Sequence, residues 1–335
     1  MKSRNLLIGF GIILLLLILY KINITENIST NITNNITNII NNNEFDLHVY
    51  DWGAQVSIKN ITSILNYGDV YNSKFKWSKK PIKYSGFYHL DTGSHLLVDM
   101  IMMNRNEVIN SLKEYNIPYD DLQKSGYIYL QGGTPPLNNF QNNLLIDNKK
   151  YDNVPVGLMA LDGQHMMEKE RESVNGVFGL SYIGNNHNLK KYSILDKLLE
   201  NHSNKTVLLD FSNSKMILGG SVPNNFQFKG TILKTDDNSL HRMEVSVIDS
   251  DNNKEYDILI DTGTLYSQFE YSGEVILKGI NNSSGIIKLQ NSRLLPLELS
   301  NNIRQIILGY NDLYKGWLYI DYNNNIVYLN QNINL

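Results

Sequence analysis

The sequence predicts an all-β protein of two lobes, with its functional centre in the cleft between them. Three observations carry that expectation. From Phe45 onward, short apolar and β-branched runs alternate with Asn, Asp and Gly turns. Only two short segments, Glu107–Tyr115 and Ile194–Leu199, have helical spacing. One strand-plus-turn motif occurs twice, around Asp91 and again around Asp261.

At 335 residues the chain is long enough to bury a large core in two domains of ordinary size. Its 42% hydrophobic and 19% charged residues are a normal globular balance, and a formal net charge of −3 offers no basic surface for nucleic acid. There is no cysteine, so disulfides, thiolate nucleophiles and Cys-based zinc sites are excluded. No H-E-x-x-H, P-loop or G-x-S-x-G motif is present. No metal and no cofactor is expected.

Residues 1–20 read as a signal anchor or signal peptide. Lys2 and Arg4 precede the apolar run Leu6–Tyr20, and no small-x-small cleavage site follows. An uncleaved anchor puts Lys2 and Arg4 in the cytoplasm and the rest of the chain in the secretory pathway, lumenal or extracellular; cleavage makes the protein secreted. Residues 21–44, Asn-rich and of low complexity, read as a disordered stalk. Four N-x-[ST] sequons, at Asn23, Asn27, Asn31 and Asn35, fit glycosylation of that stalk. The folded part divides into a lobe at 45–222 and a second at 223–335. Its strands include Ala54–Ile58, Gly126–Leu130, Val207–Phe211, Lys215–Leu218, Arg242–Ile248, Tyr256–Ile260 and Trp317–Ile320.

The repeated motif is Phe87-Tyr-His-Leu-Asp91-Thr92-Gly93-Ser94 in the first lobe and Asp257-Ile-Leu-Ile-Asp261-Thr262-Gly263-Thr264 in the second. One Asp-Thr-Gly arises by chance roughly once in several thousand positions; two, each led by an apolar strand and followed by a hydroxyl residue, form a strong signal. Two carboxylates sharing one proton supply both a base to activate water and an acid to polarise an amide carbonyl, because like charges so close cannot both ionise. Each glycine permits a tight turn that brings backbone amides toward the carboxylates. The hydroxyls of Ser94 and Thr264 are placed to bond the outer carboxylate oxygens, and Thr92 and Thr262 are small enough to bury and bond across the axis between the lobes. His89, two residues before Asp91, falls on the same strand face; with His95 it flanks the motif and reads as a packed or surface residue rather than a catalytic one.

With these motifs the chain resembles the pepsin family of aspartic proteases over roughly residues 50–330. That family threads each Asp-Thr-Gly loop past a later apolar-apolar-Gly strand, and Val177-Phe178-Gly179 and Ile307-Leu308-Gly309 fit that place. Tyr50–Ile58 resembles its opening strand, Lys215–Gly220 its interlobe strand and Trp317–Val327 its last hairpin. The resemblance implies a flap hairpin at Tyr127–Thr134, with Tyr129 as the flap tyrosine and Gly132 at the turn. It also implies a bilobal acid endopeptidase, a monomer acting on extended polypeptide, with Asp91 and Asp261 catalytic, Gly93 and Gly263 offering backbone contacts, and an acid optimum. Both motif hydroxyls then lower the dyad's apparent pKa values, and His89 and His95 lower them further if protonated nearby.

The chain departs from the family in four places. Val98 stands near the position where the family often has Trp. The stretch from Asp261 to Gly309 is short, Ser63–Lys80 is inserted, and no basic pro-segment follows the N-terminal signal. These departures leave a second reading, a non-catalytic binder on the same fold.

Overall fold

The structure, a computed structural model, describes residues 44–66, 76–101, 105–114, 119–122, 127–130, 143–160, 176–184, 190–235, 238–248, 254–295 and 306–332. The chain divides into two units, Met1–Glu44 and Phe45–Leu335, and apart from Glu44 every described residue belongs to the second. The expected anchor and almost all of the expected stalk therefore lie outside the described residues. Among those described, no helix is long and apolar enough to cross a membrane.

The protein is mostly β. Its first ten strands are β1 (Glu44–Val49), β2 (Ala54–Asn66), β3 (Lys76–Asp91), β4 (Leu97–Ile101), β5 (Tyr119–Leu122), β6 (Tyr127–Leu130), β7 (Leu144–Ile146), β8 (Lys149–Tyr151), β9 (Val156–Ala160) and β10 (Gly176–Gly179). Then come β11 (Thr206–Asp210), β12 (Lys215–Leu218), β13 (Phe228–Thr235), β14 (Asn238–Val247), β15 (Glu255–Asp261), β16 (Gln268–Phe269), β17 (Gly273–Gly279), β18 (Ser284–Leu294), β19 (Ile306–Gly309), β20 (Trp317–Asp321) and β21 (Ile326–Asn330). The helices α1 (Arg105–Glu114) and α2 (Ile194–Leu198) fall where helical spacing predicts them. Ser193 caps α2, its hydroxyl accepting from Asp196 N at 3.1 Å.

Side-chain alternation fixes the registers. In β1, Phe45 and Leu47 are buried while Asp46 and His48 face outward, the period of a strand with one face on a core. β19 is instead buried at all four positions, as a strand covered on both faces must be. Phe45, Val56, Ile58, Leu90 and Phe178 fill the core on the first motif's side, and Ile258, Ile260, Phe269 and Leu308 on the second's. Each such side chain contributes about 1.5–3 kcal/mol by leaving water.

Two local arrangements repeat. β10 runs parallel to β3 and antiparallel to β4, so it lies between the strand that enters the Asp91 loop and the strand that leaves it. β19 does the same between β15 and β16 around the Asp261 loop. Gly179 sits opposite Asp91 and Gly309 opposite Asp261. The threading leaves no room for a side chain: a Cβ on Gly179 would stand 2.3 Å from Leu96 N, and one on Gly309 2.5 Å from Tyr266 C.

A third sheet joins elements distant in sequence. β12 pairs with β11, β11 with β20, β20 with β21 and β21 with β13, all antiparallel. The segments expected as an interlobe strand and a last hairpin thus meet through β11. Of the expected insertion at Ser63–Lys80, the described residues 63–66 and 76–80 belong to β2 and β3, which stay paired, with register shifts, as far as Asn66 and Lys76.

Candidate active site

Asp91 and Asp261 are the last residues of β3 and β15. After each, the chain turns at Thr-Gly, and the aspartate carbonyl accepts from the fourth residue of the motif, Ser94 N at 3.4 Å and Thr264 N at 3.2 Å. Two turns of the same kind are thereby presented to each other.

The threonines lock them together. Thr92 N donates to Thr262 Oγ1 at 3.1 Å, and Thr262 N donates to Thr92 Oγ1 at 3.0 Å. Each hydroxyl passes its own proton across: Thr92 Oγ1 to Ile260 O at 2.9 Å, Thr262 Oγ1 to Leu90 O at 3.0 Å. Both threonines are buried, at 0% and 1% exposure, so all four bonds are shielded from water. A buried amide or hydroxyl left without its partner costs about 1–3 kcal/mol, which makes this reciprocal set expensive to break. Ser181 braces it from outside, its buried hydroxyl donating to Thr92 O at 2.7 Å.

The glycines then bring the carboxyls together. Gly93 N donates to Asp91 Oδ1 at 2.7 Å and Gly263 N to Asp261 Oδ1 at 2.9 Å. Each glycine also lies under the opposite aspartate. A Cβ on Gly263 would stand 2.6 Å from Asp91 Cγ, and one on Gly93 2.9 Å from Asp261 Cγ. The two carboxyls are close enough to hydrogen-bond each other. Burial, the Asp261 charge and that shared bond hold the Asp91 carboxyl well above the usual carboxylate range, against a smaller opposing effect from Gly93 N.

The hydroxyl residues differ. Thr264 Oγ1 donates to Asp261 Oδ2 at 2.7 Å, as its place in the motif predicts. Ser94 does not reach Asp91; its Oγ accepts from Leu96 N at 3.3 Å and is spent on its own turn. Asp261 thus has two donors besides its partner and Asp91 has one, an arrangement that puts the shared proton on Asp91.

His89 also departs from expectation: burial pushes its pKa down despite the nearby Asp261, against a role as positive charge beside the dyad. Its ring hydrogen-bonds to the backbone of Thr262 and stacks on Trp52, with centroids 6.4 Å apart and planes 14° apart. The turn carrying Trp52 is itself held from the second half, where Tyr310 OH donates to Tyr50 O at 2.7 Å. Ser181, Trp52 and Tyr310 escape sequence reasoning; the one available signal is their nearness to Gly179, Gly53 and Gly309, and a serine or an aromatic beside a glycine is commonplace. His95 joins the scaffold, its carbonyl accepting from Ile194 N at 3.1 Å.

Tyr129 lies within β6, opposite Asp120 on β5 and Gly157 on β9. Gly132 and the rest of the expected hairpin tip lie outside the described residues. Among the described residues, no group of three or more His, Asp or Glu side chains is placed to hold a metal ion. No protein-family model matches the chain, and no curated protein matches its sequence. The geometry brings two carboxyls together on crossed loops, with burial and the Asp261 charge pushing Asp91 toward its protonated form.

Proposed function

We propose that the protein is a pepsin-like aspartic endopeptidase, bilobal, which hydrolyses peptide bonds with a water activated between Asp91 and Asp261. The observation that carries this reading is the reciprocal packing of the two Asp-Thr-Gly turns, each carboxyl over the other's glycine and each threonine bonded across. A surface turn has no use for two carboxyls forced together at the cost of keeping one of them protonated.

In the ground state Asp91 carries the proton and Asp261 is the carboxylate. Asp261 takes a proton from the water as its oxygen attacks the carbonyl carbon, while Asp91 gives its proton to the carbonyl oxygen. The product is a neutral tetrahedral diol, with Asp91 ionised and Asp261 protonated. Asp261 then protonates the amide nitrogen, Asp91 recovers a proton from a diol hydroxyl, and the C–N bond breaks to give an acid and an amine. The dyad ends as it began. General acid–base help of this kind is worth about 10²–10⁴-fold in rate; holding the pair in line supplies much of the rest.

Tyr129 is assigned to the flap, with Gly132 at its turn, over an extended polypeptide that contacts Gly93 and Gly263. Lobes at 45–222 and 223–335 flank the cleft, and the enzyme works as a monomer in the acid range. Lys2, Arg4 and the apolar run after them tether it to a membrane of the secretory pathway, or direct its secretion, with glycans on the stalk.

The test is digestion of a peptide library by the purified protein. Cleavage that is abolished in Asp91→Asn, and blocked by a peptide mimic with a central hydroxyl in place of the scissile carbonyl, supports the reading. Peptides left intact by the wild type across pH 3–8 sink it and favour a binding protein.

A further inference from the structure

His89 is an ionisable group that the chemistry above does not use, and it is wedged between the two halves of the site. Its Nδ1 is shut off from solvent and has no hydrogen-bond partner. The ring's bond to the Thr262 backbone must then come from Nε2–H. The acceptor is the Thr262 carbonyl, because the Thr262 amide is already committed to Thr92 Oγ1. So a neutral imidazole on β3 grips the second Asp-Thr-Gly loop at its central residue.

Nothing around the ring welcomes a second proton except Asp261. Gly53 lies flat against it: a Cβ there would come within 2.2 Å of Cε1 and 2.7 Å of Nδ1. Trp52 covers one face. Its cross-strand neighbours are Gln55 on β2 and Val177 on β10, neither of them ionisable. Asp51, in the same turn as Trp52, acts on Tyr310. Asp91 follows two residues along the same strand, and the β15 loop presents Asp261, whose charge favours the imidazolium. Burial outweighs it. A proton on Nδ1 would point at the Gly53 backbone with no acceptor, and relieving that requires the ring to leave its slot.

We propose that His89 is a positioning residue, a neutral clamp on the Thr262 carbonyl, and that protonating its Nδ1 releases the second catalytic loop and switches the site off in acid. The link to activity rests on the peptidase reading; the clamp itself does not. It adds an acid limit to the one that the two carboxyls set when both are protonated and the base is lost.

The sign follows from linkage. A histidine whose folded pKa lies below its unfolded value contributes stability that is present above about 6.5 and is lost as pH falls through the folded pKa. The test uses the full chain and His89→Gln, which keeps a donor for the Thr262 carbonyl and cannot titrate. Unfolding temperature and peptide cleavage are followed from pH 7.5 down to 3.5. As pH falls below about 6.5 the wild-type melting temperature should fall relative to that of His89→Gln, and the acid limb of cleavage in the variant should move down by about one pH unit. Parallel melting curves for the two proteins overturn the clamp. Divergent curves with no cleavage by either protein keep the clamp and discard the peptidase. Should the variant fail to fold, histidine-labelled NMR of the wild type decides: the His89 imidazole, assigned apart from that of His202, whose pKa burial also lowers, must stay neutral, protonated on Nε2, well below pH 6. If it titrates near 6.5, the proposal fails.

Discussion

Asp261 receives hydrogen bonds from Gly263 N and the Thr264 hydroxyl, whereas Asp91 receives one, from Gly93 N, and depends on Asp261 for its other contact. The loops around them have three residues in common and the same threading, so the difference lies in one hydroxyl. Thr264 turns toward its carboxyl, and Ser94 turns toward Leu96 N. Near-identical tetrapeptides therefore give an acid and a base, because the donor count around each carboxyl decides which one keeps the proton.

Removing either carboxyl gives the largest effect. Asp91→Asn and Asp261→Asn should each lower peptide cleavage by about 10⁴-fold or more, and the double variant should be little worse, since the pair acts as a unit. Stability should separate them. A carboxyl whose folded pKa is raised contributes stability that is present below its unfolded value of 3.8 and is lost as pH rises through the folded value. Asp91→Asn should then melt at a higher temperature than wild type near pH 7, by calorimetry. A lower melting temperature there would break the assignment of the proton to Asp91.

The glycines come next. Gly263→Ala pushes a methyl group into Asp91 Cγ at 2.6 Å, Gly93→Ala into Asp261 Cγ at 2.9 Å. Both should lose about 10²-fold or more in kcat with the fold retained, Gly263→Ala the more severely. Equal losses would mean that the two carboxyls are equally free to retreat.

Stability measurements on the threonines test what the loops share. Thr92→Val and Thr262→Val each remove two of the crossed hydrogen bonds, and each should cost about 2–3 kcal/mol in denaturant unfolding. The double variant removes all four bonds, and the departure of its cost from the sum measures how strongly the two loops are coupled.

The smallest effect discriminates best. Thr264→Ala removes a donor to a dyad carboxylate and should move the upper limb of the pH–rate profile upward by roughly half a unit. Ser94→Ala should move it less. A larger shift from Ser94→Ala would put the serine hydroxyl back on Asp91.

Much of this centre was legible from the chain. Asp91 and Asp261 stand out because a strand-led Asp-Thr-Gly is rare enough to notice twice, and the threaded strands could be placed because Val177-Phe178-Gly179 and Ile307-Leu308-Gly309 match the pattern of the family the chain resembles. The threonine crossing followed from residue size and the repeat. Ser94 misled because a hydroxyl's choice between a carboxylate and a nearby amide is settled by a rotation of one bond, which no sequence pattern records. His89 was read correctly as packed and wrongly as a source of charge, since its burial is supplied by Trp52 and Gly53, far away in the chain. The ends of the inserted stretch Ser63–Lys80 do not read as strand because their Lys and Ser content hides the alternation; residues 63–66 and 76–80 extend β2 and β3.

The third sheet also sets a timetable. β20 takes its place against β11, and Tyr322 OH closes on Leu180 O at 2.5 Å, only after everything between has been synthesised. The first aspartate loop has its threading strand once Gly179 is out of the ribosome; the second must wait for Gly309. At about 5–20 residues per second, that interval lasts on the order of ten seconds. Until Asp261 and Thr262 emerge within it, Thr92 has no Thr262 to bond and Asp91 has no neighbour to share a proton with, and the second loop still lacks its threading strand until Gly309 follows. Whatever chemistry the pair performs is therefore absent from the nascent chain and begins only once the two halves have folded together, a delay written into topology.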